Sequence, residues 1–63
     1  MLHMELTAQV VTGTAVVVAL AAQLAGRSMW FSVEPLPDDE YEVQVKAEAG
    51  YILDRTIAAI TEG

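Results

Sequence analysis

Sixty-three residues and 6.8 kDa fit a single α+β domain over residues 1–63. A chain this short hides only about 60 % of the surface that its unfolded form exposes. Nine acids against three bases, a formal net charge of −6, exclude nucleic-acid binding through clustered Lys and Arg and argue against an anionic membrane surface. Without cysteine there is no disulfide framework or thiolate metal site, and His3 alone cannot build a histidine cage. No cofactor or metal is expected, and association is the remaining way to stabilise so small a core. Ala, Val, Ile, Leu, Met, Phe, Trp and Gly supply 36 of the 63 residues, above the roughly 45–50 % of ordinary domains. Something besides the chain itself must cover part of that apolar excess.

The first element is a strand over about Leu2 to Val11. Leu2, Met4, Leu6, Ala8 and Val10 fall on one side, expected to be buried, while His3, Glu5, Thr7 and Gln9 fall on the other. Leu6 to Gly26 is an uncharged run of 21 residues, the length of a membrane span. The period changes from two to helical at Thr12-Gly13-Thr14, so two short elements joined by a turn explain it better. A small single-span membrane protein stays an alternative, and the main expectation is a soluble cytoplasmic chain. A signal peptide is not expected, because the start lacks a basic region.

Thr14 is expected to cap the first helix, Ala15 to Ala25, and Gly26 to end it with a left-handed turn. Val17, Leu20, Ala21 and Leu24 share one face; Ala15, Ala19 and Ala22 share the opposite one. A helix this apolar is normally buried on more than one side. Ser28 to Glu34 reads as the second strand, and Met29, Phe31 and Val33 alternate with Ser28, Trp30, Ser32 and Glu34. Pro37-Asp38-Asp39 makes a turn. Tyr41 to Ala47 or Glu48 is the third strand, with Tyr41, Val43, Val45 and Ala47 facing opposite to Glu42, Gln44 and Lys46. One hairpin register pairs Phe31 with Val45 and sets Glu34 beside Glu42, which repel. The register shifted by two places Glu34 opposite Gln44, and both stay open. The last helix covers about Tyr51 to Thr61, with Leu53, Ile57 and Ile60 as its buried stripe. Tyr41 and Tyr51 are expected at the core edge.

The order strand, helix, strand, strand, helix predicts a β-α-β-β-α two-layer sandwich with both helices on one sheet face. With the third strand between the first two it is ferredoxin-like, lacking the last strand, an architectural analogy that carries no function.

Catalytic chemistry is sparse, and no enzyme is expected. Ser28 and Ser32 lie on a strand without a nucleophile elbow, and the glycines are isolated. Six of the nine acids lie between Glu34 and Glu48, without the alternation of a calcium loop, and read as a solvated hairpin. Trp30 shares its face with Ser32, Gln44 and Lys46, a candidate surface for a protein partner. The first strand forms an open edge around Glu5, Thr7 and Gln9, where a second copy is expected to pair into a homodimer. Ala15, Ala19 and Ala22 would let a second helix approach closely. The resulting expectation is a self-associating, non-enzymatic interaction module. The alternative is a small-ligand-binding sensor domain acting as a dimer.

Overall fold

The computed structural model describes residues 4–63, so the expectations placed on Leu2 and His3 lie outside the described residues. Its elements are β1 (Leu6–Thr12), α1 (Thr14–Gly26), β2 (Phe31–Leu36), β3 (Glu40–Lys46), a 3₁₀ turn (Ala47–Ala49) and α2 (Gly50–Glu62). The strands form one antiparallel sheet in the order β1-β3-β2. This is a small α+β domain. Val43 and Val45 of β3 are fully buried beneath Val17, Leu20 and Leu24 of α1 and Leu53 of α2, and Val11 completes the core. Both helices therefore cover one face of the sheet.

On β1 the expected facing is reversed. Thr7, Gln9 and Val11 pair with Val45, Val43 and Tyr41 on the helix side, whereas Leu6, Ala8 and Val10 lie on the open face. The cause lies in α2. Its first residue, Gly50, comes so near β1 that a Cβ there would meet Thr7 Cγ2 at 3.1 Å, so the Thr7 side chain packs directly against the start of α2. One turn further on, the Gln9 amide donates to the Asp54 carboxylate of α2. Two polar side chains thus face α2 where the alternation predicts apolar ones, Thr7 partly covered and Gln9 reaching Asp54 at the exposed margin.

Gly13 alone joins β1 to α1, at φ 101° and ψ 130°, a conformation that a side chain would strain. Its N–H donates to the Asp39 carbonyl at 2.8 Å, and its carbonyl accepts from the Val17 N–H at 3.1 Å. Gly13, rather than Thr14, is the N-cap. The Thr14 hydroxyl instead lies 2.9 Å from Tyr41 Oη and donates to Asp39 Oδ1 at 3.3 Å. At the other end α1 runs through Gly26, and Ser28 supplies the left-handed residue at φ 57°. The Met29 N–H reaches the Leu24 carbonyl at 3.1 Å and the Ser28 N–H reaches Ala25 at 2.9 Å, which is a Schellman closure. Met29 then packs against the core.

The hairpin adopts the register that sets Glu34 opposite Glu42. Its loop is Pro37-Asp38-Asp39, closed by Leu36 opposite Glu40, with both aspartates at positive φ. Loop geometry and the cross-strand Phe31–Val45 and Val33–Val43 pairs, in which both β3 valines are buried, outweigh a cross-strand repulsion of roughly 0.2–1 kcal/mol. The Ser32 hydroxyl donates to Gln44 Oε1 at 3.2 Å in the next row.

Two substitutions check this description. Ser28→Gly should raise unfolding stability by about 0.5–1 kcal/mol, since glycine removes the left-handed strain and loses only part of it to a looser unfolded chain. A lower melting temperature would refute the Schellman assignment. Glu34→Lys should stabilise by roughly 0.2–1 kcal/mol at low salt, and the gain should shrink as salt is added. An unchanged midpoint in urea at low salt would mean that Glu34 and Glu42 do not interact.

Candidate functional site

The open face of the sheet is built from the even-numbered residues of β3 and the strands on either side. Successive rows place Leu6 beside Lys46, then Ala8, Gln44 and Ser32, then Val10, Glu42 and Glu34. Met4, Leu6 and Val10 are exposed large apolar side chains near one edge. Trp30, just before β2, is 43 % exposed, and continuing the register by one residue sets it beside Lys46. Trp30, Ser32, Gln44 and Lys46 therefore share one face, with the acids gathered toward the hairpin loop.

The two sheet edges differ. The Ala47 N–H donates to the Glu5 carbonyl at 2.9 Å, and Gly13 bonds Asp39 in the same register. In an antiparallel ladder directly opposed residues alternate between bonded and unbonded pairs. The odd residues of β1 consequently point their N–H groups inward to β3, and Leu6, Ala8, Val10 and Thr12 point theirs outward. Of the expected edge residues, Thr7 lies under Gly50 and Gln9 is engaged by Asp54, and both turn their N–H groups inward. Glu5 is exposed just before the strand. On β3 the odd residues serve β1, which leaves the even ones for β2. Pro35, at an odd position of β2, therefore occupies an outward site, where a missing N–H costs the sheet nothing.

On the outer surface of α1, Ala15 and Ala22 are exposed, Ala19 is half-buried and Val18 is 61 % exposed. A shallow hollow runs over Ala19, Ala22, Gln23, Gly26 and Arg27. Beside it the last turn of α1 meets the first three turns of α2 in a groove of 370 Å³. Gln23, Arg27, Tyr51, Ile52, Arg55, Thr56 and Ala59 line it. Tyr51 is more exposed than a core-edge tyrosine, at 63 %. This groove was not legible from periodicity, because only the packing of the helices brings Arg27 and Arg55 together. The available signal was positional: one arginine closes the first helix and the other follows the start of the second.

Among the described residues no three His, Asp or Glu side chains converge as metal ligands, and no buried side-chain polar atom lacks a partner. No helix among them is long and apolar enough to cross a membrane. Compared with family models, curated proteins and solved structures, the chain finds no match.

Proposed function

We propose that this chain is a non-enzymatic self-association module that docks on a second copy through the outer edge of β1. The observation that carries the reading is the outward row of N–H groups at Leu6, Ala8 and Val10, on a strand with no proline and no charge within it. Such an edge is a template for another strand. The β-α-β-β-α order with β3 between β1 and β2 reads as ferredoxin-like without the last strand, and β1 of the second copy would occupy that strand's place. A two-fold axis at Ala8 sets Leu6 of one copy opposite Val10 of the other and merges two three-stranded sheets into one. The merged sheet gathers the apolar row of both copies along its middle. Equal numbers of large apolar side chains, seven and seven, are buried and exposed among the described residues, which supports a need for further burial. Trp30, Ser32, Gln44 and Lys46 lie two strands away or nearer the middle of the sheet and remain a surface for a different protein partner.

Light scattering across a concentration series tests the reading. The native chain should show about twice 6.8 kDa, and Ala8→Pro should return to 6.8 kDa with its circular dichroism unchanged. Ala8→Lys, which places two like charges at the axis, should do the same if the proline variant fails to fold. Trp30→Ala should leave the dimer mass intact. A native monomer at every concentration, or a dimer that survives both Ala8 variants, would overturn the proposal.

A further inference from the structure

The geometry points to a second, independent site: the groove between α1 and α2 binds a phosphate group, free or as a monoester, between Arg27 and Arg55. The charge pattern is the first reason. The chain carries nine acids, yet none of the seven residues lining this groove is acidic, and two of its three bases are there. A molecule of net charge −6 thus keeps one concave surface whose charged lining residues are both arginines.

Helix electrostatics account for only half of this. Arg27 is the C-cap of α1, where a cation suits the negative end of the dipole. Arg55 sits in the second turn of α2, beyond the reach of any favourable helix end. Its sequence neighbour Asp54 does not neutralise the groove, because that carboxylate is turned away to accept from Gln9. Both exposed arginines line the same cavity, and planar guanidinium forks match phosphate oxygens in a bidentate way.

The remaining walls fit the rest of such a ligand. The Gln23 amide offers a further donor, whereas the Thr56 hydroxyl is already spent on the Ile52 carbonyl at 2.7 Å. The exposed Tyr51 ring and the Ile52 and Ala59 side chains give an apolar wall for an organic group. None of the residues lining the groove belongs to β1, so either proposal survives failure of the other.

Nuclear magnetic resonance on the full ¹⁵N-labelled chain provides the test, with sodium phosphate and phenyl phosphate added separately at constant ionic strength. Saturable shifts are expected at the Arg27 and Arg55 Nε–H signals and at Gln23 and Tyr51. Arg27→Gln and Arg55→Gln should each weaken binding about tenfold or more, while Lys46→Gln, an equal change of charge on the open sheet face, should not. Tighter binding of phenyl phosphate assigns the site to monoesters, and equal binding assigns it to the phosphate group alone; both support the inference. Shifts that fail to saturate, or that sodium chloride reproduces, would overturn it. So would groove shifts that grow with protein concentration in phosphate-free buffer, which would place the acidic hairpin of a second copy there.

Discussion

The fold depends on the double duty of β3. Its odd residues turn Val43 and Val45 into the core and spend their backbone groups on β1; its even residues face the open side and spend theirs on β2. Every other element is located by that strand. Both helices rest on the same two valines, and each outer strand has a single neighbour. A slip of one residue in β3 would exchange the core for Glu42, Gln44 and Lys46 and leave the helices nothing to cover. Large losses are therefore expected wherever β3 is altered on its odd side, and small ones on its even side.

The second constraint ties the two ends of the sheet connection together. Gly13 reverses the chain in a single residue, and the carbonyl that accepts its N–H belongs to Asp39 in the hairpin loop. The loop that fixes the β2–β3 register is thereby also docked on the start of α1, with Thr14 and Tyr41 reinforcing the contact. This explains how the hairpin holds Glu34 against Glu42. The loop cannot shift by two residues without releasing its hold on the helix, and one repelling pair is a smaller loss than that.

Element positions were legible in the sequence because each rests on a strong local period: Val17, Leu20 and Leu24 for α1, Tyr41, Val43 and Val45 for β3, and the change of period at Gly13. The outward facing of Trp30 followed from the same alternation. The facing of β1 did not, because alternation reports which residues differ from their neighbours and not which set is covered. That choice was made by Gly50 and Asp54, about forty residues away, whose close approach and carboxylate suit Thr7 and Gln9. The helix stop at Ser28 was hidden for a related reason. Gly26 is the better left-handed residue, yet stopping there would not deliver Met29 to the core. The groove of Arg27 and Arg55 needed the helix packing, which no local pattern contains.

Pro35 has a consequence for growth. An edge-paired sheet still ends, on either side, in a strand, and a strand end is where fibres elongate. In the proposed dimer both terminal strands are β2. Each would present Pro35 where an incoming chain seeks a donor, flanked by Glu34, so the edge that remains would offer outward N–H groups at Phe31 and Val33 only. If the proposed pairing holds, assembly of this kind would tend to close at a small number of copies, because the second edge resists the growth that the first invites.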